Sequence, residues 1–344
     1  MQSRRLLLPI AVLCLSMLIT PWAGAQDRVR VKLGTLAPKA SIYHRVLQEM
    51  GEAFRASEGP GSGFTVYTDG SQGSEADVVR RMRIGQLNAA MITVVGLTEI
   101  DPSAGVLQKM PLLFRSWEEV EYVSHALRPD IERRFLEKGF VVVLWAEAGW
   151  VRFFCKEPAT QPSDLKGRRM FAWSGDSEQV SMMKALGYRP VVLETADIIP
   201  GLQTGLVDVV PVTPTWALAT QLDRLAPNMI DVRWAPIVGA LVFTRKAWDS
   251  MTPAARDALR QSAPRAAQAL HEHQVRSDSE AIAAMQKRGL QVLQPSPDQD
   301  ATWQELARRA YPMIRGQTIP SATFDEALRL IAEYRARPPA PVGR

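Results

Sequence analysis

Two segments far apart in the chain, MRIGQLNAAMITV from Met82 and LQTGLVDVVPVTP from Leu202, follow one pattern. Each leaves a helix-like stretch through a glycine (Gly85, Gly205) and enters an apolar run that reaches a threonine at the same spacing (Thr93, Thr213). Glycine takes the left-handed C-terminal cap of a helix without the penalty a Cβ imposes, so each glycine marks a helix end. Residues that favour N-caps open the preceding stretches: Ser74, with Asp77 three residues on, and Thr195. A helix–glycine–strand unit used twice restricts the chain to two lobes built alike.

The rest of the chain fits that restriction. Strand-like runs start at Val29 (VRVKLGTL), Phe64 (FTVYT), Ala89 (AAMITV), Phe140 (FVVVLWAE) and Val207 (VDVVPVT), with amphipathic stretches between them. This alternation predicts an α/β fold with largely parallel sheets. Ligands bind beyond the carboxyl ends of strands in such lobes, so Thr93 and Thr213 should face each other across a cleft. The loops Thr35 to Ser41, Asp69 to Gln72, Glu147 to Arg152 and Trp173 to Asp176 should line it. They supply Thr35, Ser41, Ser71, Gln72, Glu147 and Asp176 as polar candidates, the two acids suited to ligand amines or hydroxyls. In DLKGRRMFAWSGD, strand alternation sets Arg169, Phe171 and Trp173 on one face. Trp150 and Trp216 lie on neighbouring loops.

From Thr252 a long helical pattern runs to Gly289, with Pro253 suited to its first turn and Pro264 expected to kink or divide it. A helix of that length should run along both lobes. The expected division is 26–146 with 237–264, then 147–236 with 265–336, and a disordered tail over 337–344.

The first residues have a different character. Arg4 and Arg5 precede LLLPIAVLCLSMLIT, and Ala23-Gly24-Ala25 follows as a small-residue cleavage site. This predicts a signal peptide, cleaved near Ala25, and export to the periplasm. Cys14 leaves with it, so Cys155 stands alone, which excludes an intramolecular disulfide and suits a small buried hydrophobe. The net charge of +5 drops by two with Arg4 and Arg5, and the remaining basic residues are scattered, so nucleic acid is not an expected partner. The histidines are His44, His125, His271 and His273, and the chain holds no HExxH, paired CxxC or GxSxG motif. No catalytic residue, metal site or cofactor is expected.

Taken in order, DGSQGSEADVVRRMRIGQLNAA, VLQKMPLLFRSWEEV, PSDLKG, ALGYRPVVLETADIIPGLQTGLVDVV and AWDSMTPAARDAL with the long helix resemble one family. It is the periplasmic solute-binding subunits of TRAP (tripartite ATP-independent periplasmic) transporters, the DctP-like solute-binding family 7, over nearly all of the mature chain. The resemblance implies a two-lobed periplasmic binding fold, a hinge with several chain crossings, and a small-molecule ligand passed to TRAP membrane subunits. In most of the family, DLKG leads into a strand whose fourth residue is an arginine that holds the ligand's carboxylate through two parallel N–H bonds. Counting from Gly167, that position is Phe171 here. The departure implies an atypical subgroup and an apolar or aromatic ligand covered by Phe171 and Trp173, with Trp150 and Trp216 beside them. Arg152 is the candidate replacement for the missing arginine, and Arg169 is expected at the surface or between lobes. FAWSGD is also similar to a subgroup in which some members pair with TPR-repeat proteins. A periplasmic receptor, or a carrier of lipid-like ligands feeding a sensor or partner protein, is the alternative reading.

Overall fold

A computed structural model describes residues 29–337. The expected signal peptide and its cleavage site, Cys14, and all but the first residue of the expected tail lie outside them. The described chain forms strands β1 (Arg30–Thr35), β2 (Gly63–Tyr67), β3 (Ala89–Thr93), β4 (Phe140–Trp150), β5 (Arg152–Cys155), β6 (Arg169–Trp173), β7 (Arg189–Leu193), β8 (Val209–Val212), β9 (Asn228–Ile230), β10 (Pro236–Thr244) and β11 (Gln291–Leu293). They make two sheets, ordered β2-β1-β3-β10-β4 and β11-β9-β5-β8-β6-β7.

The sheets are mixed rather than largely parallel. β1 pairs in parallel with β2 and β3, and β6 with β7 and β8, as helical crossovers require. β10 runs antiparallel to β3 and β4, and β5 antiparallel to β8 and β9. These antiparallel strands carry the chain between sheets: β4 continues into β5 through Val151, and β9 returns into β10 through residues 231–235. The two passages are bonded to each other, Val151 N donating to Ala235 O at 2.9 Å and Trp234 N to Val151 O at 3.1 Å. A paired ribbon thus joins the lobes and offers few freely rotating bonds.

The repeated unit is visible in both sheets. Gly85 and Gly205 have φ of 76° and 74°, the left-handed conformation that ends each helix. Beyond β3, Thr93 caps the helix Val94–Ile100; beyond β8, Thr213 caps the helix Pro214–Thr220. Ser74 and Asp77 form the expected capping box. Thr195 does not cap the other helix. It lies inside a short 3-10 turn, and the helix Ile198–Gln203 starts after Asp197 without a side-chain cap.

The helix Pro253–Gln286 runs on as a single helix and does not end at Pro264. Pro264 and Arg260, whose carbonyl loses its partner, are both exposed, so water can take the lost bond. Leu259, Ala263, Ala266 and Leu270 pack in the first sheet's core, and Met285 in the core of the second. One helix is therefore anchored in both. A third cluster reaches from Val78 and Phe135 to Phe153, Met170 and Trp303, so apolar packing is continuous across the lobes.

Candidate functional site

Between the sheets lies a cleft of about 600 Å³. The ends of β1 and β3 bring Thr35 and Thr93 to it, and the loop Leu36 to Ser41 leads into the helix Ile42–Glu58, which adds Tyr43. Ser41 caps that helix, its hydroxyl accepting from His44 N at 3.3 Å. Glu147, Ala148, Ile237 and Gly239 come from the paired strands β4 and β10. From the second sheet come Trp173 at the end of β6 and Ser174 after it, Pro211 to Thr213 at the end of β8, and Thr215 and Trp216 from the helix beyond. His273 and Gln274 of the long helix complete the lining.

Acids, not bases, are the inward charges. Glu75 is buried, and its carboxylate accepts from Thr93 N at 2.8 Å, Thr93 Oγ1 at 2.6 Å and Gly96 N at 2.9 Å. Burial pushes its pKa above the usual carboxylate range despite those bonds. Glu147 Oε2 lies 2.9 Å from His271 Nδ1, and its carbonyl accepts from Tyr43 OH at 2.7 Å. Burial, then the charges of Asp278 and Glu147, raise the Tyr43 hydroxyl well above a phenol's ordinary range. The basic lining residues Lys39 and Arg45 are both exposed.

Behind the lining is a polar cluster. Asp278 accepts from Trp150 N at 3.0 Å, and Arg152 Nε donates to Asp231 at 2.9 Å. Gln274 Nε2 and Asp278 Oδ1 have no hydrogen-bond partner among the described residues. Gly149, at φ 104°, is required beside them: a Cβ there would fall 2.9 Å from Asp278 Oδ1 and 3.0 Å from Gln274 Nε2.

Of the residues singled out from sequence, Thr35, Ser41, Thr93, Glu147, Trp173, Thr213 and Trp216 line the cleft. The others do not. Phe171 is fully buried beneath Trp173, packed against Ile198, Leu202 and Met285; it shares Trp173's face but lies two residues short of the strand end. Trp150 is buried against Trp117, ring centroids 4.9 Å apart, and Arg152 is buried on Asp231. Neighbours in an extended chain point opposite ways, and here it is Val151, between them, that reaches the cleft. Ser71 and Gln72 sit in a turn bonded behind the β1 loop, with Gly70 N on Thr35 O and Asp69 N on Ala37 O, so that loop takes the wall instead. Asp176 faces Lys109 at 3.1 Å beside a smaller neighbouring cavity. Arg169 is at the surface, held by both oxygens of Asp208.

Sequence reasoning passed over Tyr43, Glu75 and Gln274, and within the loop Glu147 to Arg152 it named the neighbours of Val151 instead of Val151 itself. Gln274 had a signal: Leu259, Ala263, Ala266, Leu270, Gln274, Ser277, Ala281 and Met285 form the buried stripe of the long helix. That stripe turns polar at Gln274, where it passes the cleft, and at Ser277 just beyond.

The family model described as bacterial extracellular solute-binding protein, family 7 (DctP), matches residues 33–317. The C4-dicarboxylate-binding periplasmic protein DctP of Rhodobacter capsulatus is 21% identical over 227 residues, 64% of this chain and 68% of that one. Among solved structures, a TRAP periplasmic solute-binding protein from Xanthobacter autotrophicus with bound β-D-galacturonate is similar at a TM-score of 0.79. It shares 20% identity, with 88% of this chain and 99% of that one covered. A TRAP periplasmic solute-binding protein from Shewanella oneidensis with bound succinate gives 0.80 at 14% identity over the same shares.

Proposed function

The chain belongs to the bacterial extracellular solute-binding proteins of family 7, and from that premise we propose that it is the periplasmic solute-capturing subunit of a TRAP-type secondary transporter. It holds a small organic ligand between its lobes, closes on it, and hands it to membrane subunits for uptake on an ion gradient. It binds and carries rather than catalyses. The ligand has an apolar or aromatic body instead of a carboxylate as its main handle.

One observation carries the ligand class. The side chain at the arginine position of DLKG-x-x-x is Phe171, while Glu75 and Glu147 are the buried acids at the cleft and the basic lining residues are exposed. An anion in this cleft would lie against these acids, and the nearest buried guanidinium, Arg152, stands behind the lining already paired with Asp231. Trp173, Trp216, Val151, Ile237 and Pro211 offer apolar surface instead, and Thr35, Thr93, Thr213 and Gln274 offer a few polar groups to fix orientation.

Thermal-shift screening tests this. Ligand at about a hundred times its dissociation constant stabilises by about 2.7 kcal/mol, a readily measured shift. Succinate and galacturonate should give none, and small phenols or aryl alcohols should give one that Trp173→Ala reduces. A strong shift with succinate, lost in Arg152→Ala, would overturn the ligand class.

A further inference from the structure

The cavity beside the cleft shares Val95, Gln108, Val151, Trp173, Pro211 and Ile237 with it, so the two spaces are separated by a single layer of side chains. The neighbouring space holds about 110 Å³. Its wall is apolar and adaptable, with Met170, Met182 and Met183 beside Phe153, Trp234 and Trp303. Methionine thioethers change shape at little cost and suit ligands of varied outline. The charged groups at this wall are Lys109, Asp176 and Glu178, and they pair with one another, Lys109 Nζ lying 3.1 Å from Asp176 and 3.4 Å from Glu178. An apolar cavity of about 150 Å³ in a protein core takes up benzene, so this smaller volume suits a short aliphatic tail of about four methylenes rather than a whole ring.

We infer that this annex behind Trp173 is a second subsite, which takes the neutral aliphatic tail of an elongated ligand whose head lies in the main cleft. The inference rests on the reading of the cleft as a solute site and adds a length and a polarity to its ligand. Trp173 borders both spaces, with the buried Phe171 beneath it, so a modest rotation of the indole joins them. The paired charges at the annex wall make a charged tail terminus unfavourable there, since it would disturb an ion pair already satisfied.

Calorimetric titration with 4-alkylphenols, from 4-methylphenol to 4-octylphenol, tests this. Each methylene entering the annex should tighten binding about fourfold, with the gain levelling off after about four carbons. The readout is the ratio of the 4-methylphenol to the 4-hexylphenol dissociation constants on one protein, which cancels any general loss of affinity. Met182→Trp, which fills the annex, should cut that ratio at least tenfold. Met183→Ala, which enlarges it, should move the plateau to longer tails and keeps the test open if the tryptophan variant fails to fold. Tight 4-methylphenol binding with no tail gain, or a tail gain indifferent to both variants, overturns the annex alone. If no alkylphenol binds, the apolar reading of the cleft falls and the annex with it.

Discussion

Trp173 stands edge-on over Phe171, with ring centroids 4.7 Å apart and planes at 75°. The buried ring thereby sets the attitude of the one that reaches the cleft. Their roles should separate on mutation. Phe171→Ala removes a fully buried side chain and should cost about 3–5 kcal/mol of stability, read by urea denaturation. Trp173→Ala should leave stability much closer to wild type and weaken binding of an apolar probe about tenfold or more. Weaker binding in Phe171→Ala at unchanged stability would show instead that Phe171 touches ligand.

Glu75 ties the start of one helix to the turn after β3 through Thr93 and Gly96. Burial raises its folded pKa above the unfolded value of about 4.3. The protonated form is thus favoured by folding. Its stabilisation is complete below about pH 4 and is lost as pH rises through the raised folded value. Denaturation across pH 4 to 8 should show that decline. Glu75→Gln should flatten it and, by leaving a buried amide donor without its acceptor, cost about 1–3 kcal/mol.

Lys109 lies in the connection after β3 and Asp176 just after β6, so their 3.1 Å contact joins the two sheets' elements beside the cleft. Both side chains are largely buried there, 12% and 4% exposed. Losing one partner of such a pair costs about 2 kcal/mol or more. Lys109→Met should therefore weaken ligand affinity at least twentyfold. In small-angle scattering with saturating 4-methylphenol, the variant should keep a larger radius of gyration than wild type. Equal profiles would remove this contact from the closure step.

Cys155 is fully buried in β5, and burial pushes its thiol up to about 12. The thiolate is the reactive form, so the native protein should resist iodoacetamide at pH 8 and react fully in denaturant. Mass spectrometry of the peptide containing Cys155 reads both states.

What the sequence made legible follows from which patterns are local. The glycine caps at Gly85 and Gly205, and the spacing from them to Thr93 and Thr213, are local, and both threonines reach the cleft as N-caps. Strand alternation assigned Phe171 and Trp173 to one face correctly but carries no information about depth along the strand, which decided between core and cleft. At the first chain crossing, a shift of one residue separates Val151 from Trp150 and Arg152, and no local pattern specifies that phase. Arg152 illustrates the result: its place is set by Asp231, a residue remote in sequence and brought near by the pairing of β5 with β9. Gln274 was marked by a polar break in an apolar stripe, yet only the lay of the long helix shows that the break faces the cleft.

β10 sits between β3 and β4 in the first sheet, although the chain makes most of the second sheet before reaching it. A polypeptide growing from its amino end therefore carries bare edges on β3 and β4 until residues 236–244 arrive. Bare edges invite pairing with other chains, and partners so distant in sequence find each other slowly. Any product of interrupted synthesis that stops before Pro236 keeps both edges open. Its prospects are aggregation or degradation, because this topology contains no half-molecule that can close by itself.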